Sequence, residues 1–152
     1  MSVVSVLNAL LTPLIAIITT FIAWRQWKGT ELKLNLERYE RRLRIYEEVF
    51  KMLTTICGDA KPTWEDLLKF RVATAEADFL FGPEIPKYLD EIFSRGMKLR
   101  QANLEYRDFT QQVPQEYDHD KVVQELSSQL KWLTEQALTA KDKFKKYLNI
   151  SG

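Results

Sequence analysis

The chain opens with a long stretch of apolar side chains. No residue between positions 3 and 24 carries a charge. At about 1.5 Å per residue, a helix of this length measures roughly 30 Å, which is the thickness of the hydrocarbon core of a bilayer. The flanks lack the basic start and the small-residue cleavage site of a secretory signal peptide. The pattern therefore predicts a retained transmembrane anchor over residues 1–27, with a joint at residues 28–30.

Small and polar side chains in this stretch are segregated from large apolar ones. Placed at about 100° per residue, they share one arc of roughly 140°, and two lines of them recur every seventh residue. Small residues let helices approach closely, and a spacing of seven indicates a left-handed seam between roughly parallel helices. Because the chain has one such helix, the simplest partner is another copy. The predicted seam or pore-lining residues are Ser5, Asn8, Ala9, Thr12, Ala16, Thr19, Thr20 and Ala23.

Two interpretations of this stripe stay open at the level of sequence. In the first, the stripe is a dry seam in a dimer or small oligomer. In the second, many copies form a ring that turns Asn8, Thr12 and Thr19 towards a wet lumen. The absence of charge in the stretch is compatible with either one.

Beyond residue 30 the apolar residues step by three and four, which is typical of amphipathic helices. The first such helix is predicted over residues 31–56 and is broken by residues 57–62. Leu34, Ile45, Val49 and Ile56 widen its apolar face beyond a simple heptad stripe. The heptad residues themselves are Leu32, Leu36, Tyr39, Leu43, Tyr46, Phe50 and Leu53.

Three further helices follow. Thr63 is predicted to cap a helix over residues 64–81, with Asp66 in its first turn. A third helix starts at Pro83 or Pro86 and runs to about residue 109, with Gly96 as either a close-packing point or a weak spot. Asp120 is predicted to cap the last helix. The sequence thus predicts an all-α protein, in which one transmembrane helix precedes a four-helix antiparallel bundle over residues 31–152.

Charge decides the predicted orientation. Arg25, Lys28 and Lys33 follow the apolar stretch and no Lys or Arg precedes it. The positive-inside rule then places the N-terminus outside and the bundle in the cytoplasm. The 152 residues include 22 Lys and Arg against 21 Asp and Glu, which gives no indication of nucleic-acid binding. A single cysteine, Cys57, suits a reducing compartment.

The basic residues around the first bundle helix are candidates for contacts with lipid headgroups or with a neighbouring subunit. Glutamates interleave with them at helical spacing, so a solvated, salt-bridged face is the competing interpretation. The candidates are Arg25, Lys28, Arg38, Arg41, Arg42 and Arg44.

Residues that could support catalysis are few. His119 lies between Asp118 and Asp120, but neighbours in a loop do not converge on a metal without help. Glu76 and Asp78 are two residues apart on a predicted helix and do not face each other. The sequence therefore predicts no enzymatic activity, no cofactor, no metal and no small-molecule substrate.

Four segments carry a family resemblance. Residues 24–28, 32–49, 78–85 and 88–92 resemble small bacterial membrane proteins of unassigned role. Within that group, the layout is similar to the membrane accessory proteins of type VI, RNA-targeting CRISPR systems. The resemblance implies a HEPN-like helical domain, a ring-shaped pore in the bacterial inner membrane and a role in antiphage defence.

One departure from that family matters. HEPN ribonucleases use an Arg five places before a His, and Pro114 stands five places before His119. No nuclease residues are therefore carried over. The expected function is that of a homo-oligomeric accessory protein that forms a pore or perturbs the membrane. Its expected partners are other copies of the chain, the lipid bilayer and a cytoplasmic protein or ribonucleoprotein effector. The alternative is a membrane-tethered scaffold that recruits a cytoplasmic partner without forming a pore.

Overall fold

The computed structural model describes residues 2–149, and within that range the chain is helical and contains no strand. The predicted all-α class is confirmed. The helices are α1 (Val3–Asp59), α2 (Trp64–Ala73), α3 (Ala77–Leu80), α4 (Glu84–Glu105) and α5 (His119–Phe144), followed by a 3-10 turn at Lys145–Tyr147.

The chain divides into two compact units, the first ending at Arg38 and the second beginning at Tyr39. Helix α1 contributes residues to both. Residues 28–30, predicted as a joint, are helical and lie within α1.

The described residues of the first unit, 2–38, form one exposed helix segment that carries no charged side chain before Arg25. It includes a window long and apolar enough to cross a membrane, and none of that window is buried within the chain. Pro13 lies inside the helix, as is common in membrane helices, where neighbouring groups can satisfy the freed backbone carbonyl.

The second unit has a single apolar core, formed by the last part of α1 together with α2, α4 and α5. Ile45, Val49 and Ile56, predicted to widen the α1 face, are buried there, and they are joined by Met52. The predicted heptad stripe is only partly in this core, because Leu53 is buried whereas Phe50 is 47% exposed. The core helices therefore bury the stripe at Leu53 and leave it exposed at Phe50.

Several predicted helix ends shift. Helix α1 continues to Asp59 instead of breaking at Cys57, and Ala60 then takes a left-handed backbone conformation, with φ of 57°. The Thr63 cap is confirmed, and with Asp66 it forms a complete capping box. The helix predicted over residues 64–81 is split, since α2 ends at Ala73 and three turn residues separate it from α3.

The remaining two helices also differ from prediction at their ends. Helix α4 stops at Glu105, four residues early, because Tyr106 leaves helical geometry with ψ of 133°. Asp118, and not Asp120, caps α5, since its side chain accepts the Lys121 N–H at 3.1 Å. Gly96 is a close-packing point: a Cβ placed there would lie 2.7 Å from Leu67 Cδ2.

Candidate functional site

The polar stripe of the first unit is the leading candidate site. All eight residues predicted to line a seam or pore are exposed, so no other part of the described chain covers them. Large apolar residues occupy the rest of the helix surface and are exposed as well. Within residues 2–149, nothing therefore packs on this stripe, and its surface is available to lipid or to another molecule.

The hydroxyl groups of the stripe are bonded to their own helix. Thr20 donates to the Ala16 carbonyl at 2.8 Å, and Thr12 donates to the Asn8 carbonyl at 3.4 Å. Thr19 donates to the Ile15 carbonyl in the same way. Such back-bonding satisfies each hydroxyl proton locally. These side chains can therefore lie in an apolar medium without a further donor–acceptor partner.

Asn8 differs from these threonines. Its carboxamide offers two N–H donors and one carbonyl acceptor, and its side chain makes no hydrogen bond within residues 2–149. An unsatisfied amide in hydrocarbon costs several kcal/mol, on the order of 4–8 by water-to-cyclohexane transfer. If this segment lies in a bilayer, Asn8 needs either the carboxamide of a second helix or a water molecule.

The C-terminal end of the apolar stretch carries aromatic rings and cations. Trp24 and Trp27 are 50% and 62% exposed, and the Lys28 Nζ lies 4.7 Å from the centre of the Trp24 ring. Arg25 is exposed beside them. Amphipathic rings and basic side chains are typical of the membrane–water interface, so the side chains at this end have the chemistry of such an interface.

Among the predicted basic residues of α1, Arg42 differs from its neighbours Arg41 and Arg44 in its surroundings. Arg41 lies 3.9 Å from the Glu76 carboxylate, while Arg38 and Arg44 are exposed. Arg42 is half-buried in its own domain, where Nε donates to the Leu80 carbonyl at 2.8 Å. Arg42 therefore has a structural role, because its side chain holds the turn between α3 and α4 against α1.

A second polar cluster was missed by the sequence analysis. The Glu84 carboxylate lies 2.7 Å from Lys146 Nζ and accepts a hydrogen bond from the Tyr147 hydroxyl. The same hydroxyl accepts the Gly82 N–H at 3.0 Å. These hydrogen bonds, first from Lys146 and then from Tyr147, lower the pKa of Glu84 to about 2. The partners are more than sixty residues apart, so no local spacing could have indicated the cluster.

The contact between α4 and α5 also contains satisfied polar groups. The buried Tyr88 hydroxyl donates to Gln136 Oε1 at 2.8 Å, and the Arg95 guanidinium stacks over the Trp132 ring at 4.3 Å. Burial, followed by the nearby Glu91 charge, raises the pKa of Tyr88. These groups fix the register of the two helices, and no buried side-chain nitrogen or oxygen in the described part of the chain lacks a hydrogen-bond partner.

The other residues considered for catalysis or metal binding, His119 and the Glu76 and Asp78 pair, do not form a common site among the described residues. The exposed His119 has Nδ1 3.1 Å from the Tyr117 hydroxyl, and no group of three His, Cys, Asp or Glu residues suited to a metal occurs in the described part of the chain. Arg71, near the predicted Glu76 and Asp78 pair, is ion-paired with Asp90 instead.

An apolar ridge on the second unit is a further surface feature. Leu68 and Val72 on α2 are 46% and 69% exposed, and Phe79 on α3 is 89% exposed. Leu68 and Val72 are one turn apart and share one face of α2, which makes this face a candidate contact surface.

Comparisons with known proteins give no relative for this chain. No protein-family model matches it, and neither a curated protein nor a solved structure matches it.

Proposed function

We propose that this protein is a homo-oligomeric, single-span membrane protein that acts on the bilayer in which it is anchored. Its N-terminus lies outside, its helical bundle lies in the cytoplasm, and its anchors gather along the Asn8 stripe. The observation that carries the proposal is Asn8, whose side chain makes no hydrogen bond within residues 2–149 and lies in an exposed helix segment without charged side chains.

Association of several copies supplies hydrogen-bond partners for the Asn8 side chain. When parallel copies insert to the same depth, their Asn8 side chains meet at one level and can bond to each other. The small residues on the same face allow the backbones to approach closely. With more copies the same face surrounds a narrow passage lined by Asn8, Thr12 and Thr19, in which water can satisfy the carboxamides. Association along this face thus weakens the bilayer barrier at the oligomer axis.

The resemblance to accessory proteins of RNA-targeting CRISPR systems supplies the biological setting of the proposal. In that setting, the cytoplasmic bundle receives a signal from a protein or ribonucleoprotein effector, and the anchors then open the bacterial inner membrane during phage infection. A plaque assay with and without this protein, in cells that carry such an effector, tests that setting.

A leakage assay tests the membrane activity directly. Full-length protein is reconstituted into liposomes that hold a self-quenching dye, and Asn8→Leu/Thr12→Leu is compared with the unsubstituted chain. We expect the double variant to leak at the rate of protein-free liposomes and to have a smaller oligomer mass by light scattering.

The matched control changes the opposite face of the same helix. Leu10→Ile/Ile17→Leu keeps size and polarity, so it should leak like the unsubstituted protein. If the Asn8 and Thr12 double variant leaks as fast as this control, the proposed passage is wrong.

A tethered scaffold is the second candidate function, and the exposed ridge of Leu68, Val72 and Phe79 favours it. A scaffold needs the anchor only as an attachment. It therefore predicts that an unrelated transmembrane helix in place of residues 1–27 keeps biological activity, whereas the membrane-acting protein loses activity in that exchange.

A further inference from the structure

The segment between α4 and α5 carries a fully exposed aromatic side chain. Residues 106–118 connect the two helices, and Phe109 is more exposed than any other large apolar side chain within residues 2–149. Val113, four residues further on, is 55% exposed. A loop that presents large apolar side chains to solvent is a candidate contact surface. We call this segment, together with the flanking residues 105, 119 and 120, the α4–α5 tip.

The backbone around Phe109 is held in a turn. The Gln111 N–H donates to the Asp108 carbonyl at 3.3 Å, which makes Phe109 and Thr110 the two central residues of the turn. The Asp108 carboxylate accepts the Thr110 N–H at 2.9 Å, and the Asp108 N–H donates to Gln111 Oε1 at 3.2 Å. Phe109 is therefore presented at the corner of an ordered turn, so little conformational entropy is lost when its ring enters a pocket.

The charge of the α4–α5 tip is strongly negative, although the charges of the whole chain nearly balance. The tip contains one arginine and five acidic residues, which are Glu105, Asp108, Glu116, Asp118 and Asp120. Within residues 2–149, none of the five forms an ion pair. The Arg107 guanidinium donates instead to the Leu104 and Tyr106 carbonyls, at 2.7 and 3.0 Å. The carboxylates can therefore attract cations of another molecule.

The tip lies at the end of the second unit that is remote from the entry of the chain. The chain enters this unit at Tyr39 and follows α1 to Asp59, a helical distance of roughly 30 Å. The Asn103 side chain, near the end of α4, donates to the Ala60 carbonyl at 2.9 Å, so the tip adjoins the far end of α1. A partner of the tip therefore approaches the domain from the end opposite to the entry of the chain.

We propose that the α4–α5 tip docks into another protein, with Phe109 in an apolar pocket whose rim carries lysine and arginine side chains. The inference rests on the cytoplasmic partner of the proposed function and assigns that partner a contact surface. An aromatic side chain that fills a pocket contributes a large share of the binding free energy of an interface. The surrounding carboxylates attract a basic rim and disfavour partners with acidic surfaces.

Charge separates this occupant from the others that an apolar tip can contact. Nucleic acids and anionic lipid headgroups carry phosphate groups, which the five carboxylates repel. The tip of a second copy has the same negative charge, so two tips do not pair. A protein with a basic rim is the occupant whose charge complements that of the tip.

Photo-crosslinking from the full-length protein, in the cells in which the chain occurs, identifies what contacts the tip. A benzophenone amino acid replaces Phe109, or it replaces Leu138 as the matched control, since Leu138 is 83% exposed on α5 and lies outside the tip. We expect one protein other than this chain to be captured about fivefold more at Phe109 than at Leu138, because an aromatic side chain in a pocket stays in contact with its partner.

The captured protein is then purified and titrated against the full-length chain in detergent. Phe109→Ala should raise the Kd about tenfold, as expected for the central side chain of an interface. Glu116→Lys should raise the Kd at low salt by a factor that shrinks at high salt, because salt screens exposed charges. The controls Leu138→Ala and Glu135→Lys, at exposed positions of α5, should leave the Kd unchanged.

Three results would overturn the docking. No capture at Phe109, capture equal to that at Leu138, or capture of lipid, nucleic acid or a second copy means that the tip has no such protein partner. A Kd that Phe109→Ala leaves unchanged means that the captured protein binds elsewhere. A Kd that Glu116→Lys leaves unchanged or lowers at low salt means that the rim of the pocket is not basic. Circular dichroism checks folding, which the exposure of both side chains should preserve.

The leakage assay separates this inference from the proposed function. Liposomes with purified Phe109→Ala should leak like those with the unsubstituted chain, because the tip is no part of the anchor stripe. If Phe109 captures its partner but Asn8→Leu/Thr12→Leu leaks normally, the docking stands and the membrane activity fails. If leakage depends on Asn8 but Phe109 captures no partner, the membrane activity stands and the docking fails.

Discussion

At the scale of single residues, the same residue type has opposite roles in different surroundings. Gly58 and Gly96 both lie in helices, but a Cβ built at Gly58 would meet open space beyond its own helix backbone, whereas one built at Gly96 would lie 2.7 Å from Leu67 Cδ2. Glycine lowers helix stability at an open position. At Gly96 its missing side chain allows α2 and α4 to approach, so this glycine is required by packing.

Gly96→Ala should therefore destabilise the protein by about 1–3 kcal/mol, the usual cost of overpacking a core. Gly58→Ala, with open space around it, should stabilise α1 by about 0.5–1 kcal/mol. Urea unfolding of the two detergent-solubilised variants, followed by circular dichroism, measures both. A Gly96 variant as stable as the unsubstituted chain would show that Leu67 moves aside freely.

At the scale of elements, local hydrogen bonds decide where the short helices begin. Helix α2 has only ten residues, so propagation contributes little to its stability and its ends matter. The Thr63 hydroxyl accepts the Asp66 N–H at 3.1 Å, and the Asp66 carboxylate accepts the Thr63 N–H at 3.1 Å. This reciprocal pair satisfies two backbone donors that would otherwise lack partners.

Thr63→Ala should lower the free energy of unfolding by about 1 kcal/mol, because it leaves one of these donors without its acceptor. The control is Thr55→Ala on α1, whose exposed hydroxyl only donates to its own helix at Lys51. The free energy of unfolding of this variant should lie within about 0.5 kcal/mol of that of the unsubstituted protein. If both variants lose the same free energy of unfolding in the same urea titration, the loss in Thr63→Ala is not caused by the missing cap.

At the scale of the second unit, the Glu84 cluster joins segments far apart in the chain. Lys146 and Tyr147 follow α5, and Gly82 and Glu84 lie at the start of α4. Arg42 of α1 completes the arrangement, with its guanidinium 5.3 Å from the centre of the Tyr147 ring. The C-terminal turn is therefore held to the rest of its domain by polar contacts as well as by the apolar core.

The cluster predicts an acid dependence of stability. The pKa of Glu84 is lowered from 4.5 to about 2 in the folded protein. The ionised carboxylate therefore contributes fully to the free energy of unfolding above pH 4.5, and this contribution is lost as the pH falls through about 2. Lys146, whose pKa is raised by the same hydrogen bond, keeps its charge up to its ordinary value of 10.5 and beyond. Glu84→Gln should therefore lower the melting temperature at pH 7, and the difference should close between pH 4.5 and pH 2.

The control for this prediction is Glu135→Gln, at an exposed position of α5 without an ion pair among the described residues. Its melting temperature should follow that of the unsubstituted protein at every pH. A Glu84→Gln curve parallel to that of the control would show that the cluster does not titrate as described.

The sequence by itself determined the features that depend on local periodicity and local chemistry. The uncharged stretch from residue 3 to residue 24, the helical class, the Thr63 cap and the segregation of Asn8 and the threonines can all be read from neighbours along one helix. Such features need no knowledge of distant residues, because helix geometry alone fixes which side chains share a face.

Only the tertiary structure decided which of two apolar faces of α1 is buried. Both contain residues at helical spacing, and the choice of Val49 over Phe50 depends on where α2, α4 and α5 pack. The same holds for Arg42, which the sequence placed among headgroup candidates and which the fold holds against the Leu80 carbonyl. The pairing of Glu84 with Lys146 likewise depends on contacts across more than sixty residues, which chain folding creates and no local pattern encodes.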